Sequence, residues 1–198
     1  MAKIDLSLIQ ELRNRTGLGM MDCRKALEET NGDIDKAIEL LRKKGAAVAA
    51  KRSDKETAQG IIHAYIHPGS QLGVLVEINC ETDFVARTQD MQQFAKDLCM
   101  HIAAIKPLYL SPADVDPKFL EHERAIFKEQ LASSGKPEKI LEQIIEGKVK
   151  KLYSDVCLLQ QPFVKNDQLT IEDAVKELIA KTGENIKIRR FARFEIGA

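Results

Sequence analysis

Val74-Leu75-Val76-Glu77-Ile78-Asn79-Cys80-Glu81-Thr82-Asp83-Phe84-Val85-Ala86-Arg87 reads as a strand that runs directly into a turn. Val74, Val76 and Ile78 recur at the period of two that gives a strand one apolar face. Phe84 stands behind Glu81, Thr82 and Asp83, too far along to share that face, and therefore belongs to a turn. Local physics allows two fates for it. It can fold back onto the core as a plug, where burial of a Phe contributes ~1.5–3 kcal/mol, or it can stand out as an anchor for a partner. From the pattern alone the plug is the expectation, and only something outside the pattern can overturn it.

Upstream of this stretch, Ile62, Ala64 and Ile66 alternate with His63, Tyr65 and His67, and Pro68-Gly69-Ser70-Gln71 supplies turn chemistry. Leu72 to Cys80 is thus predicted to return antiparallel as the second strand of a hairpin. Downstream, Thr88 can cap a helix striped by Met91, Phe94, Leu98, Ile102 and Ile105 and ended by Pro107. Asp116-Pro117 opens another helix with Leu120, Phe127 and Leu131 before Gly135. Lys136-Pro137 opens a third, carrying Ile140, Leu141, Ile144, Ile145, Leu152 and Val156. The short loop between these two predicts an antiparallel helical hairpin. Thr170 with Asp173 signals a further cap, for a helix ending near Gly183. A last strand alternates Ile186, Ile188, Ala192 and Phe194, interrupted by Arg190.

The amino-terminal segment has a different grammar. Three short helical patterns are punctuated by Gly17, Gly32 and Gly45. Ser7 with Gln10 can form a capping box, and Asp33 can cap the helix carrying Ile34, Ala37, Ile38 and Leu41. Met20 and Met21 stand at a helix start, where thioether side chains suit either gap filling or an adaptable contact surface. The predicted organisation is a three-helix domain over residues 1–45, a linker with helical tendency over 46–59, and a core over 60–198 with 111–157 as an inserted helical hairpin. The fold class is α+β, with a small three-stranded antiparallel sheet and packed helices.

Composition narrows the function. The 198 residues are 44% hydrophobic, as for ordinary globular proteins, and 30 Lys and Arg balance 30 Asp and Glu. A net charge of zero supplies no field for holding a polyanion, so direct nucleic-acid binding is not expected. The basic residues Arg42, Lys43, Lys44, Lys51 and Arg52 read as a solvated helix end. No apolar run reaches the ~20 residues of a membrane span, the start lacks a signal-peptide core, and a cytoplasmic location is the expectation. Cys23, Cys80, Cys99 and Cys157 form no Cys-x-x-Cys pair, so neither a zinc site nor a redox motif is indicated. His63 and His67, four residues apart on a strand, are ~13 Å apart and cannot share a metal. Cys80 as a nucleophile with His101 as its base lacks any surrounding signature. Gly17-x-Gly19 lacks the preceding strand and the lysine of a phosphate loop. No metal or cofactor is expected, and a catalytic role in covalent chemistry is not.

The string Glu77-Ile78-Asn79-Cys80 followed by Glu81-Thr82-Asp83-Phe84-Val85-Ala86-Arg87 resembles the signature of bacterial elongation factor Ts. Leu12-Arg13-Asn14-Arg15-Thr16-Gly17-Leu18-Gly19-Met20-Met21-Asp22-Cys23-Arg24-Lys25-Ala26-Leu27 is similar to that family's amino-terminal signature. Gly183-Glu184-Asn185-Ile186 through Arg189-Arg190-Phe191 fits its end, so the resemblance spans essentially the whole chain. It implies a guanine-nucleotide exchange factor that binds elongation factor Tu, GDP-bound and nucleotide-free, displaces its Mg²⁺ and promotes GDP release during translation elongation. It implies that Thr82, Asp83, Phe84 and Val85 act at the partner's magnesium site. Arg13, Met20, Met21 and Arg24, with His67 and Val164, would add binding contacts. Longer members duplicate the sheet-bearing core; this chain has one copy, which implies a homodimer. Residues 1–45 also resemble ubiquitin-associated domains, so the alternative is a non-catalytic protein-binding module.

Overall fold

The computed structural model describes residues 4–131 and 137–197. Gly135 and Lys136, expected to separate two helices, lie outside the described residues. Three helices come first: α1 (Leu6–Thr16), α2 (Met20–Glu29) and α3 (Ile34–Arg52). Strands β1 (Gln59–Ile66) and β2 (Leu72–Cys80) follow, then a single turn α4 (Asp83–Ala86) and the long α5 (Gln89–Ile105). After these come α6 (Pro117–Leu131), α7 (Glu138–Val156), the short β3 (Pro162–Phe163) and β4 (Asn166–Thr170), α8 (Ile171–Thr182) and β5 (Ile186–Glu195). The main sheet is antiparallel, in the order β1-β2-β5. The α+β class with a three-stranded antiparallel sheet is as expected from the sequence.

The chain gathers into two compact units. One holds the chain through His63, Glu77–Ala95 and Asp173–Arg189; the other holds Ala64–Val76, Lys96–Glu172 and Arg190 onward. In the first unit the three helices bury Ile9, Leu12, Cys23, Ala26, Leu27, Ala37 and Leu41 against one another. These are the i, i+3, i+4 positions of each helix, so one stripe per helix meets at a common axis. Gly17 adopts the left-handed conformation (φ 68°) and its N–H donates to the Arg13 carbonyl at 2.7 Å, ending α1 as expected. The cap of α1 differs from expectation: Asp5 precedes the helix and Ser7 lies inside it, donating to Asp5 Oδ2 at 2.9 Å. Asp33 caps α3 as predicted, accepting from the Lys36 N–H at 3.0 Å.

Gly45 does not stop α3, which continues to Arg52. Its place in the sequence suggested a helix end, but its function is close approach: a Cβ there would sit 3.0 Å from the Ala180 Cβ of α8. Arg42 reinforces the same packing through Glu177 at 3.3 Å.

In the second unit, α5 buries Leu98, Cys99, Ile102 and Ala103, and α7 buries Ile145 and Val149. The segment before α6 pairs with the end of α7, Tyr109 bridging Cys157 in parallel and the Leu158 N–H donating to the Tyr109 carbonyl at 2.9 Å. Helices α6 and α7 pack on each other through an Arg124–Glu146 ion pair at 2.8 Å and the Lys148 ammonium over the Phe127 ring. A second, two-stranded sheet of β3 and β4 is additional to the expected strands. Only the two-residue turn Val164-Lys165 separates them, Phe163 pairing with Asn166, and so short a pair of strands reads as a loop in the sequence.

Strand β5 departs from its predicted alternation. Ile186 and Ile188 are buried, but farther along Arg193 turns inward and donates to the Ala103 carbonyl at 3.3 Å, leaving Phe194 67% exposed. The alternation of buried and exposed positions seen at Ile186 and Ile188 is lost beyond Arg189, where Phe191, Ala192 and Arg193 are all half-buried. On β1 it is the apolar set Ile62, Ala64 and Ile66 that is exposed.

His101 is fully buried in the second unit. Its Nδ1 accepts from the Val164 N–H at 3.3 Å, so the proton sits on Nε2, which donates to Gln161 Oε1 at 2.9 Å. Gln161 in turn donates to the Asp155 carbonyl at 2.8 Å. Burial lowers the His101 pKa, opposed by the Gln161 bond. The unfolded chain therefore binds a proton more readily than the folded one. This contribution to stability is complete above about pH 6.5 and is lost as the pH falls through that value toward the folded pKa. Thermal unfolding between about pH 8 and 5 should show this loss, and His101→Gln should flatten it; an unchanged slope would assign the acid sensitivity elsewhere.

Candidate functional site

The apolar alternation of β2 ends at Cys80, which is buried and donates its thiol hydrogen to the Thr82 carbonyl at 3.0 Å. Thr82 is extended (φ −127°, ψ 157°) and its hydroxyl oxygen accepts from the Val85 N–H at 3.4 Å, starting the single turn of α4. Thr88 closes the other side: its hydroxyl donates to the Val85 carbonyl at 2.8 Å and accepts from the Met91 N–H at 3.3 Å. Gln92 donates to the Ala86 carbonyl at 2.9 Å. Successive residues of one helical turn point ~100° apart, so a four-residue turn has an inside and an outside. Val85 (8% exposed) and Ala86 face in, while the Phe84 ring is 79% exposed. Of the two fates that the pattern allowed, the plug is excluded within this chain. Asp83 faces out beside it and pairs with Arg87 at 2.7 Å, an exposed i, i+4 pair worth at most ~1 kcal/mol and so easily exchanged for another partner.

A clasp holds this turn from the other end of the first unit. The Glu184 carboxylate accepts from the Thr82 N–H at 2.9 Å and from the Thr82 hydroxyl at 2.6 Å. Reciprocally, Glu81 Oε1 accepts from the Asn185 N–H at 2.6 Å. Arg52 reaches the Glu81 carboxylate at 3.1 and 3.4 Å, and the Asn185 amide donates to the Ser53 and Lys55 carbonyls at 3.3 and 2.8 Å. Strand β1 is pressed close as well, because any Cβ on Gly60 would collide with the Ile78 carbonyl. One turn earlier, Lys181 pairs with Asp90 at 2.6 Å and lies against Gly17. Residues 181–185 therefore touch both signature segments. Glu184, Asn185, Glu81 and Arg52 carry only motif or charge in the sequence; the Glu184–Thr82 and Asn185–Glu81 contacts span about a hundred residues and Arg52–Glu81 spans 29, which no local pattern reports.

The amino-terminal candidates lie on the first unit. Helix α2 buries Cys23, Ala26 and Leu27, which leaves Met20, Met21 and Arg24 on its open side, Met21 being 62% exposed. Arg24 pairs with Glu28 at 2.9 Å along the helix, and Arg13 is exposed on α1. Gap filling by the two methionines is thus not their role within this fold. His67 and Val164 lie on the second unit: His67 is exposed after β1, its Nδ1 3.0 Å from the Tyr65 hydroxyl, and Val164 is exposed beyond β3.

Several chemistries lose their support. Burial, reinforced by the Glu184 charge, raises the Cys80 pKa and keeps it a thiol rather than a nucleophile. Both ring nitrogens of His101 are engaged in hydrogen bonds, as described above. Burial also pushes Cys99 up to about 12 and Cys157 to about 11. Among the described residues no cluster of His, Cys, Asp or Glu could hold a metal ion, and no helix is long and apolar enough to cross a membrane. Much of the basic run is paired with acids: Arg42 with Glu177, Lys43 with Glu39, Lys44 with Glu29 and Arg52 with Glu81.

A family model described as elongation factor TS matches residues 22–198. An elongation factor Ts of Carboxydothermus hydrogenoformans is 53% identical over 194 residues, covering 98% of this chain and 89% of that protein. Another, of Thermosipho melanesiensis, is 52% identical over 98% of this chain and 99% of its own length. A third, of Desulfosudis oleivorans, is 50% identical over 197 residues and 100% of both chains. With both its own signatures and this likeness extending over nearly its whole length, the chain belongs to the elongation factor Ts family.

Proposed function

We propose that this protein is a guanine-nucleotide exchange factor that binds elongation factor Tu, displaces its Mg²⁺ and promotes GDP release during translation elongation, with no covalent chemistry of its own. The observation that carries this reading is the outward-held Phe84 ring on a turn whose neighbours Val85 and Ala86 are buried. An exposed aromatic normally collapses onto the nearest apolar surface; here the hydrogen bonds of the Thr82 and Thr88 hydroxyls hold its base rigid. Phe84 would wedge into an apolar pocket of the partner's nucleotide-binding domain, and Asp83, released from Arg87, would perturb the polar groups around the ion. Thr82 and Val85 set the turn that aims both. Loss of Mg²⁺ removes the charge that offsets phosphate repulsion, and the nucleotide leaves faster. Linkage makes the effect reciprocal, so incoming nucleotide expels the factor.

Magnitudes require more than one contact. A nanomolar nucleotide is held by ~12 kcal/mol, whereas one buried Phe supplies ~1.5–3. Arg13, Met20, Met21 and Arg24, with His67 and Val164, are proposed to supply the remainder. Residues 1–45 would act as the contact module, 46–59 as its connection, 60–198 as the core, and 111–157 as the core's helical hairpin. A cytoplasmic location accords with a role in translation.

A homodimer is also part of this reading. In the second unit Ile66, Leu75 and Phe194 are exposed, and the Ile66 methyl lies over Gly73, 3.1 Å from where a Cβ would stand. Exposed apolar side chains on sheet strands are a feature of surfaces buried by association. Light scattering should give twice the 22.2 kDa chain mass, and Phe194→Asp should shift it toward one chain; a wild-type monomer at high concentration would remove the dimer.

A catalytic amount of this protein should accelerate release of fluorescent GDP from elongation factor Tu; a passive binding module would leave the rate unchanged. Phe84→Ala should shift melting by no more than about 2 °C, as an exposed position allows, and reduce the acceleration by at least about tenfold. Val85→Ala, which empties a packed site, should instead cost about 1–3 kcal/mol of stability. A large drop in melting temperature for Phe84→Ala would contradict its assignment as a contact.

A further inference from the structure

We propose that Glu184 is a positioning residue for exchange: its carboxylate, by binding both the backbone and the hydroxyl of Thr82, fixes the direction in which Asp83 and Phe84 point. The proposal rests on the exchange reading above and adds to it a residue on the opposite side of the clasp, which makes none of the proposed partner contacts.

The argument is geometric. A one-turn helix contains too few hydrogen bonds to be stable alone, since nucleation fixes several dihedrals for each bond formed. The direction of Phe84 is therefore set by whatever fixes the turn's first residue. Thr82 is that residue, and its hydroxyl does two things at once: its oxygen accepts from the Val85 N–H at 3.4 Å while its hydrogen goes to Glu184 Oε1 at 2.6 Å. The second carboxylate oxygen takes the Thr82 N–H at 2.9 Å. Two bonds to one carboxylate define an orientation, as one would not, and bonds to a carboxylate are stronger than neutral ones. They also orient the hydroxyl so that its lone pair faces Val85, which makes the cap of α4 depend on Glu184.

The carboxylate is itself held. Glu184 lies between the end of α8 and the start of β5, and the next residue, Asn185, is tied by its N–H to Glu81 and by its side-chain amide to the Ser53 and Lys55 carbonyls. The two glutamates thus each accept the amide of a residue on the opposite segment, closing the sheet where β2 ends and β5 begins. A floppy surface acid would restrain nothing; this one is anchored by its neighbour.

The test compares Glu184→Gln, Glu184→Ala and Phe84→Ala in the full chain, reading amide hydrogen exchange in the free protein and GDP release from elongation factor Tu. Glutamine keeps the volume but offers one acceptor oxygen in place of two. Both Glu184 variants should increase amide exchange at Thr82 and Val85 while the helices of residues 6–52 keep their protection. Maximal release at saturating factor should fall by about 10- to 100-fold for Glu184→Ala, the loss expected for charge-assisted hydrogen bonds, and less for Glu184→Gln. The half-saturating concentration should change by less than about threefold, because the other contacts remain.

Normal maximal release in both Glu184 variants, with Phe84→Ala inactive, would overturn the positioning role and leave the exchange reading intact. Loss of protection throughout the chain in Glu184→Gln would overturn it too, in favour of a general structural role. Normal release in Phe84→Ala would remove the exchange reading itself and the positioning role with it, a pattern distinct from the other two.

Discussion

A single helical turn with opposite demands on its two sides organises this molecule. Val85 and Ala86 must be buried for α4 to exist, and Phe84, one residue earlier, is then directed away from the core. The two side chains are coupled by helical geometry, so the exposure of the ring follows from burial of its neighbour. Hydrophobic burial favours tucking the ring away, and the turn resists that because moving Phe84 inward would pull Val85 outward. Hydrogen bonds from Thr82 and Thr88 make the turn stiff enough for that coupling to hold.

Much of the first unit can be understood as support for that turn. Helix α8 lies so close to α3 that a Cβ at Gly45 would stand 3.0 Å from the Ala180 Cβ, and the last turn of α8 delivers Lys181 to Asp90 and, just beyond it, Glu184 to Thr82. The three-helix bundle, the start of α5 and the end of β2 are therefore referred to one short segment. Individual surface ion pairs contribute little to stability, but here Arg42–Glu177 and Arg52–Glu81 connect elements far apart in the chain. Their value lies in fixing geometry more than in adding free energy.

The exposed apolar residues fall into separate groups with separate meanings. Met20 and Met21 stand at a helix start, where flexible thioethers adapt to an uneven surface. Phe84 is a rigid ring on a rigid base. Ile66 and Leu75 belong to sheet strands, a flatter surface suited to a similarly flat partner. Buried His101, by contrast, is internal bracing: it joins α5 to the backbone at Val164 through a neutral ring whose nitrogens are both used.

The sequence by itself determined the α+β class, the hairpin, the Asp33 cap, the Gly17 stop and the position of Phe84 on a turn, because each depends on periodicity or on chemistry within a few residues. Its two signature segments also carried the family. Where the reading failed, the deciding forces were not local. Gly45 looks like a helix stop until Ala180 is brought against it, Ser7 looks like a cap until Asp5 takes that place, and Phe194 looks inward although it is Arg193 beside it that bonds to the Ala103 carbonyl. The exposure of Phe84 and the bonds from Thr82 to Glu184 belong to the same class. Both depend on bringing together segments about a hundred residues apart, and that encounter is fixed only when the whole chain packs.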